Sequence, residues 1–175
     1  DLPRVGVELE LPGSWEHLEW LGDGPHESYP DRDASVRRGR WTSTVSDQYV
    51  DFVVPQEHGR HSDLEWVAVR DEDCGLLVVA ATDGLSFTAR HHADAELWAA
   101  THTDDLTPLQ GASRTWLYLD AAHRGLGTAA CGPDVLDPYK VGTGRFTVSA
   151  WCRDLGPRDD AAAWAAVARS GALEA

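Results

Sequence analysis

Polar and apolar residues alternate along most of the first four-fifths of the chain. Residues 5–11 place four aliphatic side chains on one face of a strand and two glutamates on the other, and Leu18 and Trp20 continue the pattern. The connections are mostly too short for helical crossovers, so the pattern predicts an all-β, antiparallel β-sandwich. Further strands are predicted at residues 64–70, 75–81, 85–89, 114–120 and 145–151.

Two segments have helical character instead. Residues 94–100 form a short alanine-rich stretch, and residues 157–170 form a longer one that begins at or near Pro157 and stops before Gly171. We predict that this C-terminal helix packs against an edge of the sandwich. Its predicted apolar stripe consists of Trp164, Val167 and Ala168.

Length limits how many domains the chain can form. At 175 residues it can build one domain with a sizeable core, and we predict a sandwich over residues 1–156 with a helical tail over residues 157–175. The chain begins at Asp1 and contains no methionine, which suggests a piece of a longer polypeptide. Its longest apolar runs, such as residues 76–81, are too short to cross a bilayer, so no membrane role is expected.

Charge and cysteine content narrow the function classes. The formal net charge of −14 would repel phosphate backbones, so nucleic acid is a poor candidate partner. The three cysteines are far apart and show no Cys-x-x-Cys spacing, which argues against a disulfide framework and favours the cytoplasm. The histidine pairs His58 with His61 and His91 with His92 lack further ligands nearby in sequence, so no metal site is predicted.

Four segments carry unusual combinations of glycine, proline and ionisable residues. They are G-P-H-E-S-Y-P-D-R at 24–32, P-Q-E-H-G-R at 55–60, T-H-T-D-D-L at 101–106 and G-L-G-T-A-A-C-G-P-D at 125–134. Loops of this composition are usually sites or interfaces. In order and spacing they closely resemble segments of the C-terminal β-sandwich, or small chain, of the glycoside hydrolase family 2 β-galactosidases.

The resemblance implies a fold and a division of labour. It implies a galactose-mutarotase-like sandwich, here with its opening strands missing, attached to a catalytic barrel in the same polypeptide. In the family, two barrel glutamates about 5 Å apart carry out retaining hydrolysis of a β-galactoside. Neither barrel motif is present, so no residue of this chain is expected to be catalytic. The resemblance also implies possible homo-oligomers, and magnesium and sodium sites in other domains, with no cofactor in this chain.

One loop is expected to reach the active site. In the resembling enzymes a loop of the sandwich carries a tryptophan to the mouth of the barrel, and Cys131 stands at or beside that position here. A thiol offers no ring for stacking, so we expect weaker aglycone binding or substitution by Tyr139, unless Cys131 is an ordinary loop residue. The predicted substrate-binding residues are Cys131, Gly132, Pro133 and Asp134.

The segments at 24–32 and 55–60 have two interpretations. Their charged residues, with Tyr29 as an amphipathic anchor, could hold the sandwich against the barrel. Alternatively, charged residues such as Asp31 and Arg32 pair within the domain to satisfy a buried turn. The predicted domain-interface residues are Glu27, Tyr29, Asp31, Arg32, Glu57 and His58.

Two other functions remain open from the sequence. The fold also permits an aldose 1-epimerase, or mutarotase, with His102 as acid and Glu57 as base. The eight tryptophans alone would suit a stand-alone carbohydrate-binding module. The leading hypothesis is an accessory domain of a β-galactosidase, because the four segments follow that pattern together.

Overall fold

In a computed structural model that describes residues 2–127 and 132–171, two antiparallel sheets pack face to face. The described residues form nine strands and two α-helices. Numbered along the chain, they are β1 (Arg4–Pro12), β2 (His17–Gly24), β3 (Arg37–Thr44), β4 (Arg60–His61), β5 (Trp66–Arg70), β6 (Gly75–Ala80), β7 (Ser86–Arg90), α1 (Asp94–Ala99), β8 (Arg114–His123), β9 (Ala150–Leu155) and α2 (Ala161–Arg169). The four-stranded sheet has the order β1-β8-β7-β4, and the five-stranded sheet has the order β3-β2-β5-β6-β9.

Alternation along the strands supplies the core between the sheets. Leu18 and Val67 of the five-stranded sheet and Phe87 and Leu117 of the four-stranded sheet are fully buried in one cluster. Trp20 fills the space between them, and its indole N–H donates to the Asp23 carbonyl at 3.0 Å. Burial of aromatic and aliphatic side chains at about 25 cal/mol per Å² makes this cluster the main source of folding free energy.

The five-stranded sheet is covered on its other face by α2. Trp66, Leu77 and Val79 point away from the central core and pack with Ala161 and Ala165 of the helix, which are almost completely buried. The helix therefore lies on the outer face of the sheet, and our prediction that it packs on a sandwich edge is wrong. Because both faces of β5 and β6 are covered, these strands are nearly continuous apolar runs.

Helix α2 also starts later than the proline signal indicates. The Asp160 carboxylate accepts hydrogen bonds from the N–H groups of Ala162 (2.9 Å) and Ala163 (3.1 Å), so Asp160 is the N-cap. Residues 157–159 form a turn, closed by the Asp159 N–H bond to the Gly156 carbonyl at 3.2 Å. Of the predicted stripe, Trp164 and Ala168 pack against the apolar cluster on the outer face of the sheet, whereas Val167 is 37% exposed, and the most buried helix positions are the alanines at 161 and 165.

The predicted fold class, an all-β antiparallel sandwich with a C-terminal helix, is confirmed. Three strands differ from prediction. Strand β3 was missed because its arginines, threonines and serine show no apolar alternation, and β4 was missed because two residues are too short for a pattern. The last strand runs over Ala150–Leu155 instead of 145–151. In the described part of the chain, neither helix is long and apolar enough to cross a membrane.

Candidate functional site

Three of the four unusual segments meet beyond the ends of the strands. Residues 24–32 follow β2, and the backbone N–H of Ser28 donates to the carbonyl of Arg60 at 2.7 Å. Tyr29 and Arg32 then exchange two backbone hydrogen bonds, at 3.0 and 2.8 Å, which close the turn. These bonds fix the loop against β4, so its carboxylates point at defined partners.

Asp31 holds the start of the glycine-rich segment. Its two carboxylate oxygens accept hydrogen bonds from the backbone N–H groups of Leu126 (3.0 Å) and Gly127 (2.7 Å). A Cβ atom at Gly125 would lie 2.5 Å from the Asp31 carboxyl carbon, and Gly127 has a φ of +61°. Glycine is therefore required at both places, first for close approach and then for backbone conformation.

Glu27 connects the same loop to the segment at 55–60. One of its oxygens accepts from the Gly59 N–H at 2.7 Å, and the other forms an ion pair with Arg32. Gly59 has a φ of +77°, so this backbone is held in a conformation that side chains disfavour. The carboxylates of this loop thus bind backbone donors of two other segments.

Asp134 lies beyond the glycine-rich segment, on the surface. It accepts from the Val135 N–H at 2.8 Å and lies between Arg124 and Lys140, whose ammonium nitrogen is 3.8 Å away. The hydrogen bond from Val135 lowers the pKa of Asp134, with help from both cations. The Arg124 and Asp134 side chains thereby link the described residues on either side of positions 128–131.

Glu57 is the centre of a partly buried charge cluster. It accepts from Arg90 Nη1 at 2.9 Å, from the Tyr29 hydroxyl at 3.3 Å and from Arg4 Nη1 at 3.5 Å, and His123 Nε2 is 3.6 Å away. The cluster extends to two further carboxylates on the same face of the four-stranded sheet. Asp94 pairs with Arg4 and Arg90, and Asp120 pairs with Arg4.

Electrostatics keep Glu57 ionised. Burial would raise its pKa, but Arg90, the His123 hydrogen bond and Arg4 together lower it well below the ordinary value. A general acid or base works best with a pKa near the working pH. Glu57 therefore suits a structural role, because protonating it would remove one of the two carboxylates that Arg4 and Arg90 share.

Tyr29 and His58 are enclosed by this cluster. The Tyr29 side chain is 1% exposed, and burial followed by the charges of Glu57 and Glu27 raises its pKa. His58 is also 1% exposed, bonds through Nδ1 to the Gln56 carbonyl at 2.9 Å, and has its pKa lowered to about 4, mainly by burial. Both side chains are thus neutral at physiological pH.

Comparison with known proteins assigns the fold to a family. The profile described as "Beta galactosidase small chain" matches residues 1–151, which include all four unusual segments. The chain belongs to the β-galactosidase small-chain family. This confirms the resemblance inferred from the motifs.

Relatives in this family are much longer than the chain. A β-galactosidase of Arthrobacter sp. (strain B7) is 40% identical over 144 residues, 79% of this chain and 14% of the relative. Those of Staphylococcus xylosus and Kluyveromyces lactis are 33% and 38% identical and are covered to 14% and 13% of their lengths, over 80% and 81% of this chain. The chain thus spans about one seventh of these β-galactosidases.

The small-chain fold brings most of the predicted site residues to one region. All six predicted interface residues have partners within the described chain, so the alternative of pairing inside the domain accounts for their contacts. Arg32 pairs with Glu27 and not with Asp31. Contact with another domain remains a prediction for all six. Gly132, Pro133 and Asp134 are exposed, and Cys131 lies outside the described residues.

Sequence reasoning missed the residues that surround Glu57. All but Asp94, which begins α1, come from strands. The signal was a charge within an apolar run, as at Asp120, which ends the segment T-W-L-Y-L-D and is 1% exposed. Charged side chains are rarely buried unless paired, so such a position indicates an internal partner. The missed members are Arg4, Arg90, Asp94, Asp120 and His123.

The two residues suggested for an epimerase, His102 and Glu57, have different partners. His102 is 79% exposed at its side chain and bonds to Thr101, while Glu57 is committed to the cluster. Among the described residues, no three His, Cys, Asp or Glu side chains are grouped to hold a metal ion. His91 and His61 instead bond to Glu16 and Gln48, at 2.8 and 2.6 Å.

Proposed function

We propose that this chain is an accessory domain of a β-galactosidase that hydrolyses terminal β-D-galactosides. The match over residues 1–151 to the small-chain family is the observation that carries the proposal. In this proposal a catalytic barrel elsewhere in the polypeptide supplies the reacting carboxylates, and the loop at 127–134 contributes to the mouth of its active site. Any magnesium or sodium would bind to those other domains.

Geometry supports a positioning role for this loop. Its first residues are fixed by the Asp31 carboxylate, and its two ends are joined by the ion pair between Arg124 and Asp134. A loop held at both ends loses less conformational entropy when it meets a substrate or another domain. In this proposal the charge cluster around Glu57 stabilises the domain and takes no part in proton transfer.

Activity measurements on the separate and joined parts test the accessory role. The chain alone should not hydrolyse a chromogenic β-galactoside, and the longer polypeptide that contains it should. Turnover by the chain alone that disappears in Glu57→Gln or Glu27→Gln would contradict the proposal. Full activity of the longer polypeptide after deletion of this domain would do so as well.

Asp31→Asn in the longer enzyme tests the loop itself. The amide has only one oxygen to accept from two backbone donors, so we expect a loss in kcat/KM of about tenfold. Asp33→Asn is the matched control, because Asp33 is exposed and two residues away. Equal kinetics for the two variants would show that the loop plays no part in binding.

A further inference from the structure

An open depression of about 340 Å³ lies beside the loop that Asp31 holds. Its wall includes Pro30, and its floor is formed by the end of β8 at residues 121–123. Tyr139 and Phe146 line it with 36% and 37% of their surfaces exposed. This volume falls within the range of about 300–1,000 Å³ that is usual for small-molecule sites.

Arg60 also lines this depression, although it is only 6% exposed. Its Nε donates to the Ser86 hydroxyl at 3.0 Å and its Nη1 donates to the Ser28 carbonyl at 2.7 Å. Neither partner carries a charge. Within the described chain, no carboxylate forms an ion pair with Arg60, and its Nη2 has no hydrogen-bond partner.

The neighbouring arginines differ from Arg60 in this respect. Arg4 and Arg90 each pair with two or more carboxylates of the cluster. For Arg60, burial lowers the pKa, the more distant Tyr29, Asp120 and Glu57 oppose this effect, and Arg4 adds repulsion. A buried cation without a contacting anion is unfavourable, and an anion in the depression would relieve it.

We propose that the depression binds the anionic group of a carboxylated or phosphorylated monosaccharide. The free edge of the Arg60 guanidinium would donate to the carboxylate or phosphate, which suits its planar donor geometry. The rings of Tyr139 and Phe146 would contact the apolar face of the sugar. The concave shape favours a small molecule over a flat protein contact.

Calorimetric titration of the 175-residue chain tests this site. D-galacturonate or D-galactose 6-phosphate should bind at least about tenfold more tightly than D-galactose, because a neutral sugar leaves Arg60 unpaired. The stronger of the two identifies carboxylate or phosphate as the recognised group. Equal affinity for D-galactose, or no binding of any of the three, would overturn the proposal. If inorganic phosphate bound as tightly as both acidic sugars, the proposal that the ligand is a sugar would be overturned.

Variants separate a binding role for Arg60 from a folding role. Arg60→Gln should reduce binding of the acidic sugar to the level of D-galactose, whereas Arg37→Gln, on the exposed strand β3, should not. Tyr139 is 36% exposed and outside the core clusters, so Tyr139→Glu and Tyr139→Gln remain informative if Arg60→Gln does not fold. The glutamate should weaken binding about tenfold more than the glutamine, because only the glutamate repels an anion. Equal effects of the two would contradict the proposal.

Titration of the longer enzyme distinguishes a sugar from a protein carboxylate. Binding to the 175-residue chain that is absent from the longer polypeptide would mean that another domain fills the depression, which overturns the sugar proposal. This result does not depend on galactosidase activity. Failure of the proposed accessory role and failure of this site are therefore separate outcomes.

Discussion

The outer faces of the two sheets are covered in opposite ways. The five-stranded sheet presents Trp66, Leu77 and Val79 to an alanine-rich helix, and the contact is apolar. The four-stranded sheet presents Arg90 and Asp120 to the charged side chains of Arg4, Glu57 and Asp94. The first face is covered by apolar packing, and the second is covered by ion pairs.

This difference predicts different sensitivity to substitution. Apolar contacts are non-directional, so a residue of similar volume usually restores most of the lost free energy. An ion cluster of low exposure is less tolerant, because removing one member leaves its partners charged and with fewer counterions. The charged face should therefore respond to the loss of a single functional group, even when the shape of the side chain is kept.

Glu57→Gln should have the largest effect. The substitution keeps the size of the side chain but removes the negative charge shared by Arg4 and Arg90. We expect the free energy of unfolding, measured in urea at pH 7, to fall by about 3 kcal/mol. The matched control is Glu10→Gln, since Glu10 pairs with Arg114 on the surface and such pairs contribute little. Equal losses for both variants would show that the cluster is no more sensitive than a surface pair.

Sequence patterns predicted the apolar face far better than the charged one. Alternation and continuous apolar runs identified β5 and β6, because burial of aliphatic side chains depends on local periodicity. The charge cluster joins Arg4 to Asp120, which are 116 positions apart, so no local pattern connects them. Motif resemblance indicated Glu57 and Asp31, but only the fold shows that one centres an ion cluster and the other holds a loop.

Acidification should weaken the charged side through His58. Its folded pKa of about 4 is below the value of about 6.5 expected when unfolded, so between these pH values the unfolded chain binds more protons. The stability from keeping His58 neutral is therefore present above pH 6.5 and is lost as pH falls towards 4. Arg90 and His92 disfavour the added charge, while Glu57 and the Gln56 carbonyl favour it.

Urea unfolding at pH 7 and pH 5 measures this effect apart from the titration of Glu57. Between these pH values Glu57 stays largely ionised even in the unfolded chain, so the histidines dominate the change in stability. From pH 7 to pH 5, the free energy of unfolding of His58→Gln should fall by about 2 kcal/mol less than that of the unmodified chain. His17→Gln, at an exposed position of β2, should follow the unmodified chain. A pH dependence that is the same in all three proteins would contradict the assignment.

The smallest effect is expected on the apolar side, at the start of α2. The helix reaches its sheet through buried alanines, but its first turn depends on the Asp160 carboxylate, which accepts from two backbone N–H groups. Asp160→Ala should lower the free energy of unfolding by about 1 kcal/mol, while Asp160→Asn should retain most of it, because an amide oxygen also caps a helix. Urea unfolding of the two variants measures the difference. Equal losses would mean that the negative charge near the helix terminus matters and the hydrogen bond does not. The expected result would show that even the apolar face needs one polar acceptor, and that this acceptor, unlike Glu57, can be neutral.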